Sequence, residues 1–336
     1  ALQKPVPIED FRYDMYLARL DVFSICFHPE INKIENGQGN FILKNILEFK
    51  QVFAERINKL WHEPYAGFMA GLLYGYRGGL GNLQEDFNRT GVTHIVAISG
   101  YNISIIAIVL ITICVHLWIP RKYAFWLVSF GIFLFVIFTG ASGSVVRAGI
   151  MGFLVLLAGQ LGRLSRINNA MAFTAVLMTI YNPFVLVWDA GFQLSFLAVL
   201  GIIYLSPILK KKLYKLPEFM GLKESFVATI SAIIMTFPLI LYQFGRLSTV
   251  APIVNVLILW CIPFIMLFGF LSVISSFIFY PLVQILSYLT LAGMKYITGI
   301  VSWFSGFSFA SLDFSIPFGA LLVLYLILFV WFYKIQ

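Results

Sequence analysis

"GVTHIVAISGYNISII", residues 91–106, leads into one of the longest apolar runs of the chain. Inside it stand His94, Ser99, Gly100, Asn102 and Ser104. A segment entering a membrane keeps such groups only where they meet protein or water instead of lipid. Two readings are open: these groups hydrogen-bond neighbouring helices, or they line a wet cavity at a helix end. At about 100° per residue, His94, Ser99 and Asn102 fall within an arc of about 140°. One face of the segment is therefore polar, with Ile95, Ile98, Ile105 and Ile106 around it.

The remainder of the chain leaves no doubt about lipid. It is 60% hydrophobic, 17% aromatic and 11% charged, with a mean hydropathy of +0.90. Polar side chains are too few to cover a soluble surface. Continuous apolar runs, rather than alternation, indicate helices and not a barrel. We expect an all-α polytopic integral membrane protein. At about 20 residues per span, it has about eight to nine membrane segments. They fall near 92–118, 123–140, 144–161, 169–187, 190–208, 225–244, 250–278, 282–305 and 316–333. The run 250–278 is long for one span and contains Pro252 and Pro263, so a kink or half-helix is expected there. Some segments are thus broken or re-entrant.

Ahead of the spans, residues 1–36 are mixed and read as the end of a small polar domain with a short helix and a strand. Residues 37–90 carry an N-terminal amphipathic, interfacial helical region: 41–60 repeats apolar residues at three and four, 64–76 is shorter and apolar, and "LQEDFNRT" is short and amphipathic. Residues 91–336 form the membrane domain. No signal peptide is visible, and a start at Ala1 suggests a piece of a longer protein.

Basic residues follow alternate spans: Arg121 and Lys122 the first, Arg163 and Arg166 the third, "KKKLYK" at 210–215 the fifth. By the positive-inside bias these loops are cytoplasmic and residues 1–90 extracytoplasmic. The net charge of +8 is mostly topology rather than a binding patch.

Three further polar clusters sit in or beside the spans. In "TGASGSVVRAGIMG", 139–152, Gly140, Ser144, Ala148 and Gly152 make an every-fourth-residue stripe of small side chains, which permits close helix contact. Gly100 offers a similar contact or a break. Arg147 lies beside the stripe and must snorkel or face protein, water or an anion. In "NPFVLVWDAGFQLSFLAVLGI", 182–202, Asp189 and Gln193 share a face at the outer start of a span. Asp189 either caps that helix or pairs with Arg147. In "PLILYQFGRLSTVAPIVNVLILWCIP", 238–263, Gln243, Arg246, Ser248 and Asn255 surround an outer turn. A basic residue there runs against the charge bias, so topology does not account for Arg246.

Catalytic and metal signatures are missing from the sequence. There is no HExxH, GxSxG, Walker A or CxxC. His28, His62 and His116 are scattered, and Cys26, Cys114 and Cys261 are far apart, so neither a metal site nor a disulfide is expected. We expect no enzyme activity and no cofactor.

The four clusters, in this order, resemble the competence domain of ComEC-type proteins, the inner-membrane channels of DNA uptake in natural transformation. The resemblance rests on "FNRTGVTHIVAISGYNISII" (87–106), "SGSVVRAGIMG" (142–152), "NPFVLVWDAGFQLSFLAVLGI" (182–202) and "FGRLSTVAPIVNVLILWCIP" (244–263), and covers about residues 60–330. The family pattern reads roughly T-G-x-x-H-L-L-A-I-S-G-L-H-V. His94 matches it, whereas Tyr101-Asn102 stands where Leu-His is common, and Asn102 cannot titrate. The resemblance implies that residues 1–36 are the remnant of an extracytoplasmic OB-like domain. It also implies that the C-terminal nuclease domain of many members is not among these residues.

Its functional implication is translocation of single-stranded DNA across the plasma (inner) membrane, with membrane lipid and other uptake components as further partners. Candidate path residues are His94, Ser99, Tyr101, Asn102, Arg147, Asp189, Gln193, Arg246 and Asn255. The main alternative is a secondary transporter or small-solute channel, which would place paired charges at the midplane and show an inverted repeat. An intramembrane hydrolase using Ser99 and His94 lacks a carboxylate near His94 in sequence. A non-conducting scaffold of the uptake machinery is a fourth class.

The topology has a direct test. With Cys26, Cys114 and Cys261 replaced by serine, a cysteine replacing Lys211 should resist a membrane-impermeant maleimide in intact cells and react after permeabilisation. Labelling of intact cells would reverse the assignment.

Overall fold

The computed structural model describes residues 2–7, 12–30, 41–76, 78–96, 100–163, 166–213, 222–278 and 280–335. In chain order the elements are α1 (Tyr13–Ala18), α2 (Phe41–Leu60), α3 (Tyr65–Tyr74), α4 (Leu83–Arg89), α5 (Thr93–Val96), α6 (Gly100–His116), α7 (Arg121–Phe138), α8 (Gly143–Gln160) and α9 (Ile167–Tyr181). There follow α10 (Phe184–Trp188), α11 (Ala190–Tyr204), α12 (Ser206–Lys212), α13 (Leu222–Phe244), β1 (Arg246–Ser248), α14 (Ala251–Leu259), α15 (Ile262–Ser275), α16 (Tyr280–Ser305), β2 (Ser311–Asp313) and α17 (Phe318–Ile335). One isolated bridge, Gln3 with Ile25, holds the N-terminal segment.

Four described helices, α7, α8, α13 and α16, are long and apolar enough to cross a bilayer. Two bent pairs, α11–α12 at 44° and α14–α15 at 47°, raise that number to six if each pair is one span. The apolar helices α6, α9 and α17 are shorter. At 15 residues, α9 reaches about 23 Å, less than the roughly 30 Å hydrocarbon core. Each of the nine apolar segments read from the sequence thus carries helix, but four to six have spanning length.

Proline explains both bends. Pro207 and Pro263 stand in the first turns of α12 and α15. Proline has no N–H and clashes with the carbonyl four residues earlier, which stops the preceding helix. The kink expected in 250–278 is the break between Leu259 and Ile262.

Two compact units are formed, Ala1–Val52 with Ile106–Gln193 and Phe53–Ile105 with Leu194–Gln336. In the first, α7 and α8 form a hairpin. A Cβ added to Gly149 would lie 2.8 Å from Val136 Cγ2, so glycine is needed for their approach. The small-residue stripe lies beside this contact. Gly140 precedes α8 in a left-handed turn with φ 87°, and nothing lies within 4 Å of an added Cβ. Ser144, Ala148 and Gly152 are half-buried, whereas Val145 and Gly149, about 100° around the helix, are buried. Gly100 opens α6 and is exposed. At the far end of the hairpin the Arg121 guanidinium donates to the Gly159 carbonyl.

The second unit is built around α3. All of its residues after Tyr65 are buried, so 65–74 depart from the interfacial placement expected of 37–90. Gly67 and Gly71, one turn apart, let backbone come close. An added Cβ would sit 2.7 Å from Gly78 O and 2.6 Å from Val96 Cγ1 respectively. The α3 N-terminus gives the Gly67 N–H to Glu63 Oε2 at 2.9 Å. Its C-terminus ends on Gly75 at φ 77°, a left-handed cap that suits glycine. Trp61 Nε1 donates to Ser287 O at 3.2 Å, whereas Asp86 accepts from Ser302 and Ser305. These contacts lie about 22 Å apart along α16. The chain from 61 to 86 therefore runs along α16.

Opposite ends of this unit are well separated. The C-terminus of α13, β1 paired antiparallel with β2, α4, the C-terminus of α16 and the start of α17 gather at one end. At the other, Lys210 pairs with Glu224, Lys212 lies over the Trp331 ring, and Tyr204 meets Phe332.

Overpacking a close contact costs about 1–3 kcal/mol. Gly71→Val should lower the thermal midpoint of the purified protein or abolish folding. Gly299→Ala, with open space around its Cβ, should be neutral or stabilising in the same melt. Equal behaviour of the two variants would refute the buried role of α3.

Candidate functional site

The opening segment resolves into separate roles. His94, on α5, is exposed. Ser99 lies outside the described residues. Asn102 is 2% exposed, and its Nδ2 donates to Leu72 O at 3.1 Å. Leu72 is in the last turn of α3, whose carbonyls have no intrahelical donor. Asn102 is therefore a cap for a buried helix end.

Tyr101 is 44% exposed, and its hydroxyl approaches Leu259 O at 3.5 Å. Leu259 stands four residues before Pro263, so its carbonyl is the one that proline leaves without a donor. Tyr296 OH donates to Leu257 O at 3.0 Å in the same break. Two tyrosines thus supply the hydrogen bonds lost in the α14–α15 bend. Asn255 is 4% exposed. Its Oδ1 is buried without a hydrogen-bond donor.

Arg246 opens β1 and is enclosed by carboxylates. Nε donates to Asp313 Oδ1 at 2.8 Å and Nη1 to Glu85 Oε1 at 2.7 Å. These partners hold the guanidinium above its usual pKa, the Asp313 hydrogen bond most of all and that of Glu85 next. Its charge is engaged within the protein, unlike that of an open phosphate contact. Beside it, Asp86 binds the two serine hydroxyls of α16 and Arg89 donates to Phe307 O at 3.1 Å. Glu85 and Asp86 carried no signal in the sequence, because they belong to a polar stretch where a carboxylate costs nothing, and Asp313 lies in the connection between two apolar runs.

In the first unit Arg147 is 6% exposed on α8, and its Nη1 donates to Gly191 O at 3.3 Å. Asp189 does both things a carboxylate can do there. Its Oδ1 accepts the Phe192 N–H at 3.1 Å, capping α11, and makes an ion pair with Arg19 Nη1 at 2.8 Å. Sequence reasoning offered Arg147 as the partner of Asp189 and missed Arg19, which lies in the polar N-terminal segment. Gln193 Nε2 donates to Leu186 O and Val187 O, tying down the turn before α11. Asn182 Nδ2 donates to Arg19 O at 2.9 Å, a second tether of the N-terminal segment.

Comparison with known proteins was decisive for the family. The family model described as Competence protein matches residues 72–336. The chain belongs to the Competence protein family. This Competence chain is 28% identical over 251 residues to ComE operon protein 3 of Bacillus subtilis (strain 168), a match covering 74% of the chain. The matched stretch is 31% of that relative, so the chain spans about a third of its length. No solved structure matches the chain. The ComEC-type resemblance read from the four clusters is thereby established, and its apolar helices make the chain a multi-pass membrane protein.

Removing a donor from a buried carbonyl costs about 1–3 kcal/mol. Asn102→Leu should therefore lower the thermal midpoint, while Asn102→Gln should recover part of it. An unchanged melt of Asn102→Leu would return Asn102 to the list of path residues.

Proposed function

We propose that this chain forms the membrane passage through which single-stranded DNA reaches the cytoplasm in natural transformation, acting as a conduit and performing no covalent chemistry on the strand. The observation that carries the reading is the Competence match over residues 72–336. A strand in transit needs a wet path, cations for its phosphates and aromatic faces for its bases. His94 and Tyr101 are exposed, and Arg147 is a cation kept inside a span at a cost only function or tertiary pairing offsets. Lipid surrounds the apolar helices, and other uptake components deliver the strand.

The chain lies in the plasma membrane, with the nine apolar segments crossing or entering it. Residues 1–30 and α4 face outward. Three facts support this orientation. In the first unit, Arg19 docks at Asp189, near the α8 N-terminus, while Arg121 marks the opposite end of the α7–α8 hairpin. In the second, α4 meets the end of α13 remote from Lys210 and Glu224. Cationic turns favour the cytoplasmic face.

Vesicles containing the purified full-length protein should take up labelled single-stranded oligonucleotide and exclude the same sequence as a duplex. Uptake no greater than in protein-free vesicles, with folded protein in the correct orientation, would defeat the proposal.

A further inference from the structure

Two guanidinium groups converge on the start of α11, one on the Asp189 carboxylate and one on the Gly191 carbonyl. Arg19 Nη1 lies 2.8 Å from Asp189 Oδ1, and Arg147 Nη1 lies 3.3 Å from Gly191 O. The side chains of Arg19 and Asp189 are 17% and 16% exposed, and Arg147 is 6% exposed. The nearby Arg12 is matched by Asp14 at 2.8 Å. Asp189 pairs with Arg19, Arg147 bonds the carbonyl two residues on, and these three side chains together hold one more positive than negative charge in a largely water-excluded place.

One donor of Arg19 is also under-used. Arg19 Nε is buried and has no acceptor, although a buried N–H is costly to leave unpaired. The N-terminal end of the 15-residue helix α11 adds its partial positive charge. Glycine keeps the carboxylate clear of side-chain atoms: an added Cβ would stand 3.1 Å from Asp189 Oδ1 at Gly191 and 3.2 Å from Oδ2 at Gly143. An anion with several acceptor oxygens would satisfy the free Nε and balance the excess charge.

We propose that Arg19 and Arg147, gathered about Asp189, form a binding site for a phosphodiester anion, and that the strand backbone supplies it. The site needs the N-terminal segment, because Arg19 reaches it from there. Asn182 holds that segment in place through Arg19 O. The assignment to DNA rests on the proposed passage. An anionic lipid headgroup offers the same phosphodiester chemistry and is the competing source.

The test uses the full-length protein in nanodiscs of zwitterionic lipid, with a fluorescent oligothymidylate as probe and its uncharged methylphosphonate analogue as control. Anisotropy is followed across a salt series. Each lost phosphate contact should lower the slope of log affinity against log salt by about 0.7. Arg19→Gln and Arg147→Ala should each show that loss and bind several-fold more weakly. Asp189→Asn should bind several-fold more tightly, since asparagine still caps α11 while the competing charge is gone. The peripheral Arg19→Gln keeps the test decisive if Arg147→Ala fails to fold. Normal binding and slope in Arg19→Gln, or weaker binding in folded Asp189→Asn, would overturn the site while leaving the DNA passage standing. If wild type prefers the charged probe no more than the methylphosphonate, the passage reading falls and the DNA assignment with it. If added phosphatidylglycerol binds in an Arg19-dependent way and the oligonucleotide does not, the occupant is lipid and the proposal is wrong.

Discussion

Inside a bilayer a helix end is expensive, because water is not there to pair its free N–H and C=O groups. Much of this structure follows from that constraint. The short helix α3 is buried from Ala66 onward, and both of its ends are answered by protein: Glu63 at its N-terminus, Gly75 and Asn102 at its C-terminus. The break before Pro263 frees two carbonyls of α14, and tyrosine hydroxyls from α6 and α16 approach them. Side chains that resemble pore lining in sequence are thus consumed in closing backbone hydrogen bonds.

Charge is handled by the same logic at the helix ends. Asp189 caps α11 and holds Arg19. Arg246 joins β1 to α4 and β2 through two carboxylates whose side chains are 56% and 68% exposed. Exposed pairs of that kind contribute only ~0–1 kcal/mol each, so their value is in fixing which segments meet. The Asp189 cluster differs because it is largely buried and holds more positive than negative charge.

The polar groups of the opening segment show how far sequence reasoning reaches. Their cost in lipid was visible at once, and so was the demand for a partner. Which partner was not visible. Asn102 is 30 residues from Leu72 and Arg19 is 170 from Asp189 by numbering (189 − 19). Glu85 and Asp86 drew no notice because they lie in a polar stretch. Helix pattern alone also placed α3 at an interface, since ten apolar residues with glycines are equally suited to a surface groove or a core.

The amino-acid sequence by itself determined the solvent, the helical class, the proline break in 250–278 and the family, because hydropathy, proline sterics and motif spacing are local properties of the chain; the break at Pro207 came only with the structure. Tertiary structure decided that α3 is a buried helix, that Gly149 lies against Val136 in the α7–α8 contact, and that Asp189 pairs with Arg19 from a distant segment. Those outcomes depend on which orphan donors and acceptors come within about 3 Å of each other, and that distance exists only once the helices have packed.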